Sequence, residues 1–531
     1  MRAPHALRRT RTVAFALVVS FLAGKISADE TEFVTARITA GQIRGLLDRR
    51  IAVFKGIPYG DDTAKRRFQA PVPPPGWDGV RGMFEFAPMA PQGGSRRTGL
   101  DPAKPGTTIS EDCLHLNVWT PGLRDGKKRP VLVYFHGGAY SNGSVNEDLY
   151  DGEHLCQRGD VVVVTVNHRL NVFGYLYLAE LGGKEFAESG NAGQLDLVLA
   201  LQWVRDNISE FGGDPGCVTI FGQSGGGAKC ATLMAMPVAR GLFHRVWTMS
   251  GQQVTGRTRE HATADARKVL ENLGLTPDRI AEIKTFPMEK IMAAARAGNW
   301  TPVVDGATLP RDPFAPDASP LSADIPMVLG NVHDETRNLI GGGNLALFEL
   351  SWDALPAAIA QNVKPFIGAL MPEKIITTYR ELYPAYSASD VFFAATTAAR
   401  SWKGMVRESE RRAVQGGPTW IYYVNWPSPS DGGKWKSPHT IDIPLTFDNP
   451  EQSSYTRGAP GAQQLADAVS DALIAFARTG NPNTKNLPAW SRFDLERRPT
   501  MIFDTPPRLE NDPRGAERKL FERAPYVQPG T

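Results

Sequence analysis

The stretch TIFGQSGGGAKCAT, residues 219–232, joins a short apolar run to a helix-like segment through a knot of glycines that holds one serine. Three readings compete for it. A phosphate loop needs GxxxxGK[ST], with a lysine beside the last glycine to meet the phosphates. Gly222 and Gly227 have that spacing, but Ala228 and then Lys229 follow, and Cys230 stands where the hydroxyl residue belongs. The GxGxxG dinucleotide fingerprint is absent too. A plain strand-to-helix turn is the second reading. The third is a nucleophile elbow, because Gly222 to Gly226 reads GQSGG and satisfies GxSxG. There the serine occupies a strained turn, and side chains two residues either side would collide with it. Its hydroxyl then stands at a helix N-terminus, where free N–H groups favour a developing anion.

The surroundings suit an elbow. RPVLVYFHGG (129–138), DVVVVTVNHR (160–169), CVTIFG (217–222), IPMVLGN (325–331) and TWIYYVN (419–425) are continuous apolar runs. Continuous runs fit strands of a sheet covered on both faces. Between them lie helical patterns such as NAGQLDLVLALQWVRDNISEF (191–211), and residues 345–415 read as a mainly helical excursion. Strands alternating with helices predict an α/β fold with a large, mostly parallel sheet.

A serine hydroxyl needs a base oriented by an acid, and on this kind of fold the chain order is serine, acid, histidine. His5, His115, His136, His154 and His168 precede Ser224, while His244 and His261 follow too closely to admit an acid-bearing strand between. His333 and His439 remain. His439 lies in the proline-bracketed loop KSPHTIDIP, and His333 lies in LGNVHDET beside two acids, directly after an apolar strand. A strand-end loop is where the acid belongs, so Asp334 or Glu335 orients His439, with His333 a bystander. Donors for a tetrahedral oxyanion are also required. YFHGGAY (134–140) ends a strand with adjacent glycines whose N–H groups can face a ligand, as in the HGG-type esterase loop.

The bulk numbers narrow the class. Of 531 residues, 42% are hydrophobic and 22% charged, an ordinary globular composition. Arg2, Arg8, Arg9 and Arg11 precede an apolar run from Val13 to Leu22 and small residues up to Ala28, the layout of a secretory signal. Its apolar run is too short to anchor a mature chain in a bilayer. Cleavage near Ala28 leaves residues 29–531 as one large domain, exported to the periplasm or the medium. The five basic residues of that leader account for the net +3: without them, 59 Lys and Arg fall to 54 against 56 Asp and Glu. No basic field then points to nucleic acid. Four cysteines and no CxxC or HExxH motif argue against a disulfide scaffold and a dedicated metal site.

At this point the chain resembles the type-B carboxylesterases of the α/β-hydrolase fold, nearly end to end. The resemblance is carried by GQIRGL, FKGIPYG, RRFQAPVPPPGWDGV, EDCLHLNVWTP, HGGAYSNGS, NHRLNVFGYL, GNAGQLD, ALQWVRDNISEFGGDPGCVTIFGQSGGG, MSGQ, TPVVDG, VLGNVHDET, SPHTIDIPLTF and FARTGNPN. It implies a serine carboxylesterase working through an acyl-enzyme, without cofactor or metal, on a small-molecule ester. It implies Ser224 as nucleophile and His439 as base. Glu335, five residues beyond Gly330, is implied as the acid. The oxyanion donors fall on the N–H groups of Gly138, Ala139 and Gly225, with Gly137 and Gly222 shaping the turns.

The chain departs from the family in places. Gln223 stands where a glutamate is usual, Gly225 where alanine is usual, and His136 and His168 where tyrosine is frequent. Ala90 replaces the cysteine that pairs in secreted animal relatives with the one here numbered Cys113, so free thiols are expected. The loop from Gly93 to Ser110 has no Trp, Tyr or Phe and no apolar lid. That argues against choline esters and interfacial lipids and for soluble esters. Trp247, Trp300, Phe348 and Trp435 are candidate pocket aromatics, with core packing the competing role. Amide, carbamate or thioester cleavage on the same triad, and a catalytically silent binding module, are the alternative readings.

Overall fold

A computed structural model of the chain describes residues 32–93 and 107–529. The segment expected to be a secretory signal and most of the Gly93–Ser110 loop lie outside the described residues. Among the described residues, thirteen strands form one sheet: β1 (Glu32–Ile38), β2 (Gly41–Asp48), β3 (Ile51–Pro58), β4 (Val80–Gly82), β5 (His115–Thr120), β6 (Arg129–Phe135), β7 (Val162–Val166), β8 (Gly213–Gln223), β9 (Arg245–Met249), β10 (Met327–Val332), β11 (Thr419–Val424), β12 (Pro499–Phe503) and β13 (Arg508–Asn511). Their order is β1-β2-β3-β5-β7-β6-β8-β9-β10-β11-β12-β13, with β4 paired to β2. From β7 to β12 every pairing is parallel. Antiparallel strands flank that block at both ends.

The apolar runs become the parallel strands because both sheet faces are covered. Alternate residues of β6 enter different cores. Val131, Val133 and Phe135 pack with Leu197 and Leu201 of helix α1 (Ala192–Asn207). Leu132 and Tyr134 pack with Leu465, Val469 and Leu473 of a helix at Ala462–Thr479 on the opposite face. β1 and β2, by contrast, alternate exposed and buried residues, as strands wet on one side do.

Residues between β10 and β11 form the expected helical excursion, with helices at Leu355–Ile367, Pro372–Leu382, Ala388–Thr396 and Lys403–Gln415. The carboxyl ends of β6 and β8 are neighbours in the sheet and that of β10 lies beyond β9, on the edge where open α/β sheets place their sites. All four cysteines are unpaired: Cys113, Cys156 and Cys230 are buried, and Cys217 is half-buried beside Arg245. Among the described residues, no helix is long and apolar enough to cross a membrane, and no cluster of His, Cys, Asp and Glu has metal-site geometry.

Candidate active site

β8 ends at Gln223 and helix α2 begins at Gly225, running to Leu233, so Ser224 sits at the junction. Its backbone is at φ 56°, ψ −127°, a conformation costly for a residue with a side chain. Tight packing over-determines that turn. The Ser224 N–H donates to Met249 O at 2.7 Å, and its carbonyl accepts from Ala228 N at 3.1 Å. A Cβ on Gly222 would lie 2.5 Å from the Gly226 carbonyl carbon, and one on Gly226 1.9 Å from Phe135 O. The flanking glycines thus let strand, helix and β6 close on one another, rather than merely clearing space around the hydroxyl. Ser224 stays half-buried, whereas Glu335 and His439 are buried.

Glu335 opens a short helix, Glu335–Leu339, directly after the two-residue turn His333–Asp334 that follows β10. Its Oε2 lies 2.5 Å from His439 Nδ1. Oε1 accepts from Asn331 Nδ2 at 2.6 Å and from Val332 N at 3.1 Å, which fixes the carboxylate plane. Burial pushes the Glu335 carboxyl up, but the facing His439 ring and the Asn331 amide outweigh it, so the group lies below its ordinary value and stays ionised. Asp334 faces elsewhere: it contacts His333 Nδ1 at 3.0 Å and Arg337 Nε at 3.2 Å. Its N–H donates to Ser437 O at 2.9 Å, tying the acid's turn to the loop that delivers His439. Asn338 Nδ2 donates to His439 O at 3.1 Å and steadies that loop from beneath.

The Gln223 amide nitrogen is 3.2 Å from His439 Nε2, so the imidazole lies beside the elbow. The turn after β6 closes the site from the other side. Gly138 and Ala139 have φ of 81° and 57°. A Cβ on Gly225 would come within 2.1 Å of Ala139 O, and one on Gly137 within 3.3 Å of Ser224 Cβ. The N–H groups of Gly138, Ala139 and Gly225 therefore belong to two turns in direct contact around the serine.

The candidate aromatics divide. Trp247 is a core residue of β9, packed on Tyr422, Phe476 and Trp490, and Trp300 lies in a buried cluster with Phe173 and Ile280. Phe348 and Trp435 meet edge to face at 5.1 Å, with Arg337 and Lys434 beside Phe348. Asn331, Asn338 and Asp442 are polar groups around Glu335 and His439 that the sequence did not single out. Burial, aided by the charge of Glu335, pushes the Asp442 carboxyl up to about 8, with Tyr422 Oη 3.5 Å away. Only the four-residue spacing of Asn331 to Glu335 was visible beforehand, and short polar residues at strand ends are too common for it to single one out.

The carboxylesterase family model matches residues 30–521. The chain belongs to the carboxylesterase family. It is 33% identical over 497 residues to a para-nitrobenzyl esterase of Bacillus subtilis, covering 91% of this chain and 97% of that one. A phenmedipham hydrolase of Pseudarthrobacter oxydans is 32% identical over 510 residues, covering 91% and 96%. The solved structure of a carboxylesterase from Geobacillus stearothermophilus superposes with a TM-score of 0.79 at 35% identity, covering 92% of this chain and 99% of that one. The chain is thus a serine carboxylesterase of α/β-hydrolase fold, acting on small-molecule carboxylic esters through an acyl-enzyme.

Proposed function

We propose that Ser224, His439 and Glu335 are the triad of this esterase, and that soluble esters are its substrates. The observation that carries the assignment is the 2.5 Å contact between Glu335 Oε2 and His439 Nδ1, on a ring lying beside the elbow that presents Ser224. A carboxylate accepts and cannot donate, so it holds the imidazole with its proton on Nδ1 and leaves Nε2 unprotonated, an acceptor that the Gln223 amide approaches at 3.2 Å and that the Ser224 hydroxyl must engage for attack. Ser224 Oγ attacks the ester carbonyl while His439 Nε2 takes its proton. The N–H groups of Gly138, Ala139 and Gly225 receive the oxyanion, each contributing on the order of 3 kcal/mol to the transition state. His439 then gives the proton to the leaving alcohol, and water repeats the two steps on the acyl-enzyme.

The leader at residues 1–28 supports export, with cleavage near Ala28 and a catalytic chain from residue 29 in the periplasm or the medium. Hydrolysis of p-nitrophenyl esters of increasing acyl length, wild type beside Ser224→Ala, tests the function. The expected result is a serine-dependent rate that peaks at short acyl chains. A maximum at long, aggregated esters would refute the preference for soluble ones.

A further inference from the structure

Lys229 lies five residues beyond Ser224 on the same helix, α2, and is fully buried. Its Nζ donates to the carbonyl oxygen of His136 at 3.0 Å and sits 5.6 Å from the centre of the Tyr140 ring. His136 is the residue before Gly137, so the carbonyl that Lys229 holds belongs to the peptide that starts the oxyanion turn. No carboxylate pairs with this amine among the described residues. The titratable groups packed around it are His136 after β6, His168 after β7, Tyr140 in the turn, and Cys230 on its own helix.

The two imidazoles stack at 4.6 Å, and burial together with the Lys229 charge holds both well below their ordinary values. His136 is therefore neutral, and because a carbonyl only accepts, its Nδ1 carries the proton donated to Gly137 O at 2.8 Å. The turn is thus gripped at two successive carbonyls, one by Lys229 and one by the His136 ring, which burial and then the Lys229 charge keep neutral. Since α2 carries both the nucleophile at its start and this amine, one rigid element sets the distance between Ser224 and the oxyanion donors.

We propose that Lys229 is a positioning residue for ester hydrolysis: its ammonium pins the His136 carbonyl and so keeps the Gly138 and Ala139 N–H groups aimed at the developing oxyanion. The inference rests on the assignment of Ser224 as nucleophile. Burial brings the Lys229 amine down to about 7, so the clamp is charge-assisted in mildly acid solution and weaker in alkali. A misplaced donor weakens the transition state more than the bound ester, whose carbonyl is uncharged.

The test compares kcat and KM of the wild type and Lys229→Met on p-nitrophenyl acetate between pH 6 and pH 9, with Ser224→Ala alongside. At pH 6 the methionine chain should lose ten- to a hundredfold in kcat with KM within about threefold. By pH 9, where the wild-type amine is neutral, the deficit should shrink to threefold or less. A kcat within twofold of wild type throughout overturns the proposal, and so does a deficit that does not change with pH, which marks packing alone. If Lys229→Met does not fold, Lys229→Gln is read by the same ratio and the same limits. Turnover that survives Ser224→Ala overturns the nucleophile assignment itself. Ser224-dependent turnover with a flat ratio overturns only the role of Lys229.

Discussion

Replacing Glu335 by glutamine removes a charge and one lone-pair acceptor while leaving size and shape nearly unchanged. The surroundings dictate how the amide must sit. Oε1 already accepts from Asn331 Nδ2 at 2.6 Å and Val332 N at 3.1 Å, and both partners are donors, so that position has to remain the carbonyl oxygen. The new NH2 group then occupies the place of Oε2, 2.5 Å from His439 Nδ1. A donor facing Nδ1 forces the ring to put its proton on Nε2, the nitrogen that must accept from Ser224. The imidazole is left in the wrong tautomer, and the cation that forms during attack loses its counter-charge. The expected loss in kcat/KM is on the order of 10⁴, about 5.5 kcal/mol in the barrier. Stopped or steady-state hydrolysis of p-nitrophenyl acetate by a folded Glu335→Gln chain measures it. A loss below tenfold would refute the reasoning, since no tautomer switch costs so little.

Other perturbations follow from the same geometry. Gly226→Ala would put a Cβ 1.9 Å from the Phe135 carbonyl oxygen, at the root of the oxyanion turn. The oxyanion turn then has to retreat, and kcat should fall at least tenfold with the fold retained by circular dichroism; an unchanged kcat contradicts the close approach. Asp334→Asn keeps the His439–Glu335 contact but cuts a buried pairing in which His333, Arg337 and Lys436 outweigh the rise due to burial and hold the carboxyl low. A lowered acid contributes stability that is present above its ordinary value and lost as pH falls toward its folded one. The asparagine chain should therefore be less stable at pH 7 by about 3 kcal/mol, with the gap closing in acid and kcat falling far less than in Glu335→Gln; urea unfolding at several pH values checks it. Lys229→Met should be the more stable chain in acid. Wild-type Lys229 binds its proton less readily folded, near 7, than unfolded, at 10.5, so wild-type stability rises with pH across that window. The methionine advantage should be a few kcal/mol at pH 6, at roughly 1.4 kcal/mol per unit, and vanish near pH 10; a constant offset would contradict it.

The central strands were legible because burial on both faces makes a strand apolar throughout. β6, β7 and β11 fall inside runs read from the sequence, and so does β10 except for its last residue, Val332. β9 was missed: RVWTM is five residues long and begins with an arginine, too short and too mixed to stand out. The antiparallel β1 and β2 alternate polar and apolar residues, and their strand character depends on pairing with each other rather than on composition. In the site, Ser224 was readable because the elbow is local: strand, glycines and helix follow one another in fourteen residues. The choice between Asp334 and Glu335 was not, since adjacent residues at a helix start point in different directions and the decisive partner lies 104 residues away. Family resemblance supplied that choice. Lys229 showed no sign of its position at all. A lysine on a helix usually faces water, and the packing of α2 against the turn after β6 and against His168 buries this one.

The central claim is that catalysis runs through a covalent intermediate on one serine. The most direct measurement is intact and peptide-level mass spectrometry after treatment with a fluorophosphonate ester, followed alongside residual esterase activity. The account predicts one adduct per chain, on the peptide bearing Ser224, with activity lost in proportion to labelling and no adduct on Ser224→Ala. Labelling on another residue, or full activity in a chain fully modified at Ser224, would contradict it.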